Sequence, residues 1–235
     1  MGLPKLNVVP KYKAVVPSTN NEITFRPFLV KEEKILLIGL ETQDAMQIAG
    51  AVMDTVKSCV YEEIDMKSLT SYDIEYLFLK IRAKSVGESS KLIFKCKDCA
   101  TENDVTVNID DINIKVDNSN NRINITDNII VEMKHPTFSQ MAASESLNEK
   151  SPTIQVFGLI KESISAVMTD DERIDMKDIE KEEFQEFIES MTQEQFTKIR
   201  EYIENIPKLS HDIEFDCIKC NTHNEIKVEG LQSFL

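Results

Sequence analysis

Two segments of the chain repeat one pattern, Phe94-x-Cys96-x-x-Cys99-x-x-x-Asn103-x-Val105-x-Val107 and Phe215-x-Cys217-x-x-Cys220-x-x-x-Asn224-x-Ile226-x-Val228, offset by 121 positions. Apolar and polar residues alternate before and after each cysteine pair, with polar residues between, which predicts a strand, a tight knuckle and a returning strand. Two such knuckles facing one another supply four thiolates, the ligand number of tetrahedral structural Zn²⁺. The expected ligands are Cys96, Cys99, Cys217 and Cys220, and the expected cofactor is structural zinc. Because the two pairs lie far apart in sequence, such a site requires the chain to close on itself.

Other uses of paired cysteines fit less well. A redox Cys-x-x-Cys places its first cysteine at a helix N-terminus, whereas here the alternating Val105, Val107 and Ile109 follow the first pair. Disulfides need an oxidising compartment, but no signal-peptide pattern opens the sequence and the cysteines number five. A site of this type that is only partly occupied is the remaining alternative. The fifth cysteine, Cys59, lies in an apolar helical stretch and reads as a buried thiol. His135, His211 and His223 are conceivable substitute ligands; since four cysteines already close a tetrahedron, His223 is left out of the expected site.

At 235 residues, 41% of them hydrophobic, the chain can bury a sizeable core. Its net charge of −14 repels phosphate backbones and favours basic protein surfaces, so nucleic acid is not the expected ligand. Lys80, Arg82 and Lys84 suit a helix C-terminus, and Lys91, Lys95 and Lys97 near the first knuckle have only Phe94 as an aromatic platform. The longest apolar run, Ile35 to Leu40, falls far short of the roughly 20 residues needed to span a bilayer. Asp170-Asp171-Glu172 and the acidic stretch from Glu180 to Glu189 read as solvated faces. No nucleophile elbow, phosphate-binding glycine loop or His-Glu-x-x-His is present, so neither an enzyme nor a small-molecule substrate is expected.

The organisation along the chain predicts an α+β fold: helical bundle segments with small antiparallel β regions and a zinc-ribbon-like pair of knuckles. Residues 1–30 form an N-terminal arm, carrying Leu3, Leu6, Val8 and Val9 among prolines, and then a hairpin turning at Pro17–Asn21. Residues 31–110 form a first helical half ending in a knuckle; its third helix carries an Ile74, Leu77, Phe78, Ile81 stripe and stops near Gly87. Residues 111–135 are a β insertion, with alternating segments around Ile109, Ile112, Ile114 and Val116 and around Ile123 to Met133, joined by a turn at Asp117–Asn121. Residues 136–235 form a second helical half, with helices over Phe138–Leu147, Thr153–Val167, Ile179–Met191 and Gln193–Ile206, and the second knuckle. Ile64-Asp65-Met66-Lys67 and Ile174-Asp175-Met176-Lys177 extend the repeat backwards, with about one extra helix in the second copy. Alternation also predicts that Phe94 and Phe215 occupy equivalent buried positions beside the knuckles.

Longer strings carry a family resemblance. Phe25-Arg26-Pro27-Phe28-Leu29-Val30-Lys31-Glu32-Glu33-Lys34 and the stretch from Asp73-Ile74-Glu75-Tyr76 to Ser85-Val86-Gly87-Glu88 resemble the baseplate hub proteins of T-even-type contractile-tail bacteriophages. The match is best over residues 1 to about 140, including Gly2–Asn7 and Met133–Phe138, and continues in the second cysteine pair and the closing Gly230-Leu231-x-x-Phe234. The resemblance implies a structural or assembly subunit of the baseplate hub. It implies other phage baseplate or hub proteins as partners, a place in the virion tail baseplate after assembly in the host cytoplasm, and no reaction. It does not depend on both cysteine pairs, so a metal site is expected to stabilise this chain. Two alternatives share these features: a zinc-ribbon regulatory protein that binds nucleic acid or polymerase, and an assembly chaperone absent from the mature virion.

Overall fold

The computed structural model describes residues 9–112, 114, 121–146 and 152–231. The arm residues 1–8, Val116, most of the Asp117–Asn121 turn, and Phe234 lie outside them. The chain opens with a hairpin, β1 (Tyr12–Val15) and β2 (Glu22–Phe25), whose turn places Asn20 in the left-handed region at φ 58°. Its buried side chains, Ala14, Val16, Ile23 and Phe25, begin the first core.

Two antiparallel helices follow, α1 (Val30–Glu41) and α2 (Ala45–Cys59). Glu32, almost fully buried, accepts from the Leu29 N–H at the start of α1 and pairs with Arg26 at 2.8 Å. Asp44 caps α2 by accepting from Gln47 N–H. The helices meet at Gly39, where an added Cβ would stand 2.8 Å from the Cβ of Ala51. The apolar run Ile35–Leu40, interrupted only by Gly39, is wider than one face of α1. One side packs inward and the other leaves Val30, Leu37 and Ile38 largely in solvent.

The helix α3 (Ser71–Val86) lies at the centre of this core. Tyr72, Leu79 and Ala83 are buried along with the expected Ile74, Leu77, Phe78 and Ile81, so α3 is covered on all sides instead of showing a single stripe. Its N-terminus has a reciprocal Thr70/Asp73 cap, and the fully buried Asp73 carboxylate also accepts from the N–H and hydroxyl of Ser18. That bond set ties the first hairpin to the helix. Gly87 ends α3 at φ 134°, a conformation that glycine tolerates.

The two knuckle hairpins are β3 (Ser89–Lys95) with β4 (Glu102–Asn108) and, late in the chain, β9 (Ser210–Asp216) with β10 (His223–Glu229). Each strand of the second pair begins and ends 121 residues after its counterpart in the first. Two separate long-range bonds match as well: Ile109 N–H donates to Glu88 O, and Gly230 N–H donates to Leu209 O.

Between them the chain builds a four-stranded antiparallel sheet in the order β5 (Arg122–Asn124), β6 (Ile130–Met133), β7 (Ile164–Met168), β8 (Arg173–Asp175). This sheet corrects two expectations. The helix expected over Thr153–Val167 stops at Ser163 (α5, Pro152–Ser163), and Ile164–Met168 is a strand pairing with β6. The stretch after β4 is not a strand either: Ile109–Asp111 forms a 3-10 turn, and Ile109 and Ile112 are both fully buried because residues three apart share a face of such a turn.

The remaining helices are α4 (Phe138–Ser146), α6 (Lys181–Glu189) and α7 (Gln193–Glu204). α5, α6 and α7 pack with the sheet in a second core of Ile125, Val131, Met133, Ile160, Ile164, Phe184, Ile188 and Ile199, while α4 lies against α2 and α3. The two tetrapeptides play matching parts: each runs from extended backbone into a turn at its Met-Lys, and a helix begins five residues after the methionine, at Ser71 and at Lys181. One helix, α3, separates the first tetrapeptide from its knuckle; two, α6 and α7, separate the second.

Candidate metal centre

Each knuckle is a hairpin loop closed by two backbone bonds. Cys96 N–H donates to Thr101 O and Ala100 N–H to Cys96 O; Cys217 N–H donates to Thr222 O and Asn221 N–H to Cys217 O. Ala100 and Asn221 both sit at φ 55°. The tight turn aims both sulfurs of a pair the same way, and amides within the loops, Asp98 N–H and Lys219 N–H, point at Cys96 Sγ and Cys217 Sγ at 3.4 and 3.5 Å.

The structure brings all four expected cysteines together. Cys96 Sγ lies 3.6 Å from Cys220 Sγ, Cys99 Sγ lies 3.5 Å from Cys217 Sγ and 3.4 Å from Cys220 Sγ, and all four sulfurs fall within 4.8 Å of one another. A disulfide needs about 2.05 Å, so these are four free thiols. A tetrahedron with metal–sulfur bonds of about 2.3 Å has edges of about 3.8 Å. The donor set and its spacing therefore fit a metal ion bound by four thiolates. Cys96 and Cys217 are buried, Cys99 is half-buried and Cys220 is exposed, so the site lies at the surface with one sulfur towards solvent.

The thiols are electrostatically unequal. Hydrogen bonds from the Thr101 hydroxyl and backbone, and then the Cys220 sulfur, draw Cys99 down to about 6. Cys96 is also lowered, first by the Cys99 backbone N–H. Cys220 is pushed up to about 11: its bonds to Thr222 pull downwards, but the neighbouring Cys99 and Cys217 sulfurs and burial together outweigh them. Crowded sulfurs thus resist ionising together, and a dication among them would remove that conflict. Both pairs lie in turns between strands rather than at helix N-termini, the placement that redox Cys-x-x-Cys pairs use.

Phe94 and Phe215 flank the site at equivalent positions, as expected, but they are half-buried where alternation predicts buried rings. They stack on each other, with centroids 6.1 Å apart and planes at 26°, so each ring forms part of the other's cover. Buried Asn103 and Asn224, present in the repeat but given no task by sequence reasoning, link the two knuckles. Asn103 Oδ1 accepts from Ile218 N–H and Asn224 Oδ1 accepts from Lys97 N–H, both at 2.9 Å. The available signal was a shared Cys-x-Thr-x-Asn ending in both copies.

The other candidates lie elsewhere. His223 is exposed and engages Asp216 through Nδ1. His135 sits between the cores, with Nδ1 2.9 Å from the Tyr72 hydroxyl and its ring stacked on Tyr202. His211 is half-buried on β9. Cys59 is buried and its thiol is pushed up to about 11 by desolvation, as a packed thiol should be. Asp170, Asp171 and Glu172, and Glu180, Glu182, Glu183, Glu186 and Glu189, are exposed. Among the described residues, no helix is long and apolar enough to cross a membrane.

No curated protein and no solved structure matches the chain. A family model described as T4 bacteriophage base plate protein matches residues 9–235, from the edge of the first hairpin through both knuckles to the end of the chain. The chain therefore belongs to the T4-type bacteriophage baseplate protein family.

Proposed function

We propose that this protein is a non-enzymatic structural or assembly subunit of the central hub of a phage tail baseplate, with its two halves clamped by one Zn²⁺ held by Cys96, Cys99, Cys217 and Cys220. The observation that carries the reading is the family match over residues 9–235, which supports a structural role in the baseplate with other phage proteins as partners. The hub assignment rests on the long strings at Phe25–Lys34 and Asp73–Glu88. The exposed Val30, Leu37 and Ile38 of α1 support work inside a complex, since clustered apolar side chains on a surface are usually covered by a partner. The outward face of the second hairpin carries Asp212, Glu214, Asp216, Glu225 and Glu229, which opposes a phosphate backbone.

The N-terminal arm, residues 1 to about 30, with Leu3, Leu6 and Val8 set among prolines, is assigned to a contact with a neighbouring baseplate protein. Zinc in the knuckle site would act purely as a structural cross-link, four thiolates leaving no open position for substrate.

The hub reading is tested by mass spectrometry of purified tails and by co-purification of a tagged chain from infected cells. Recovery with hub proteins from both supports a hub subunit, and recovery only from assembly intermediates makes the protein a chaperone. Association with nucleic acid that falls steeply with salt would replace both readings with the regulatory one. Deleting residues 1–9 should leave a folded protein that no longer co-purifies with hub components. Elemental analysis under reducing conditions should return one zinc per chain.

A further inference from the structure

Asn103 and Asn224 are each 2% exposed, and every polar atom of their side chains is engaged. Asn103 Nδ2 donates to Thr101 O at 2.7 Å, inside its own knuckle, while its Oδ1 reaches across to the Ile218 N–H of the other. Asn224 does the same in reverse, with Nδ2 to Thr222 O at 2.7 Å and Oδ1 to Lys97 N–H at 2.9 Å. Lys97 and Ile218 directly follow the first cysteine of each pair, so each asparagine grips the opposite loop at the residue that sets where a sulfur points. The Nδ2 of Asn224 also stands 3.7 Å from Cys96 Sγ. These bonds need no metal: amide, carbonyl and carboxamide satisfy each other whether the sulfurs are free or ligated.

We propose that Asn103 and Asn224 are the positioning residues of the four-cysteine site, exchanged between the knuckles so that the sulfurs stand at metal-binding separation before an ion arrives. The proposal rests on the metal reading above and adds what shapes the site. Groups that orient ligands commonly control metal affinity by 10- to 100-fold. Here the effect is reciprocal, because losing one asparagine frees the opposite loop and also removes a brace inside its own. The Lys97 or Ile218 N–H, left without its acceptor, would then turn the loop towards water and spread the sulfurs.

The test uses the full-length chain, reduced and stripped of metal, and titrates it with Zn²⁺ against a chromophoric chelator and with Co²⁺ followed by its visible absorption. Asn103→Ala and Asn224→Ala should each bind Zn²⁺ 10- to 100-fold more weakly and show a weakened or shifted tetrahedral Co²⁺ band, a signature that a general loss of stability would not change. Variants that bind as tightly as the parent with an unchanged Co²⁺ spectrum would overturn the positioning role and leave the metal reading standing. A parent chain that takes up neither ion would overturn both. If the alanine variants do not fold, hydrogen exchange of the stripped parent decides the matter. The Lys97 and Ile218 amides should be protected without metal, and exchange at the rate of open loop amides would refute preassembly.

Discussion

The stacked Phe94–Phe215 pair makes a quantitative prediction about how the two copies of the repeat support each other. Removing a fully buried phenylalanine to alanine costs about 3–5 kcal/mol. Each ring here is only half-buried, so Phe94→Ala or Phe215→Ala should cost about 2 kcal/mol. An aromatic pair at this separation adds about 0.5–1.5 kcal/mol beyond area, and either single substitution already loses that share. The double variant should therefore lose about 3 kcal/mol, less than the two single losses combined by about 1 kcal/mol. Guanidinium unfolding of the four proteins at identical metal content, followed by circular dichroism, measures this as a double-mutant cycle. Distant, independent sites add within about 0.3–0.5 kcal/mol. Additivity at that level would refute the claim that the two hairpins pack through these rings.

Gly39→Ala should destabilise the protein, although alanine is favoured in helices by about 1 kcal/mol, because its Cβ would lie 2.8 Å from that of Ala51; a raised melting temperature would contradict this. Glu32 is buried, which alone would raise its pKa, but the Arg26 guanidinium and the Leu29 N–H outweigh burial and hold the carboxyl below the ordinary range. Its stabilising contribution is thus complete above the usual carboxylate pKa of about 4.3 and disappears as pH falls through the lower folded value. Glu32→Gln should be less stable than the parent at neutral pH and converge with it in acid, as melting curves against pH would show. Asp73→Ala removes the acceptor of four bonds that join Ser18 and Thr70 to α3 and should cost about 3 kcal/mol, with amide exchange rising first at Ser18.

The knuckles were legible because alternation and cysteine spacing are local signals, and their meeting followed from a metal's demand for four ligands. The stop of α3 at Gly87 is written in a short string too. What could not be read depended on distant partners. Nothing breaks the chain between Ser163 and Ile164, and Ile164–Met168 is apolar enough to continue a helix; pairing with β6 decides that it is a strand. Ile109 and Ile112 misled because three-residue spacing in a short β-rich stretch resembles imperfect alternation. Asparagine in a knuckle reads as a turn former, so the cross-knuckle roles of Asn103 and Asn224 emerge only when the second knuckle is in place.

The side-by-side knuckles also make a ring. All the buried residues of the second core lie between Cys99 and Cys217, so the four-stranded sheet and the helices α5 to α7 belong to a loop whose ends meet at the knuckle junction, while α4 ties the same loop to α2 and α3. A cross-link closing roughly 120 residues removes about 5 kcal/mol of unfolded-chain entropy in the loop-closure picture. A metal locked into that junction would therefore stabilise a core whose side chains stand apart from every sulfur, by limiting how far the unfolded segment can wander.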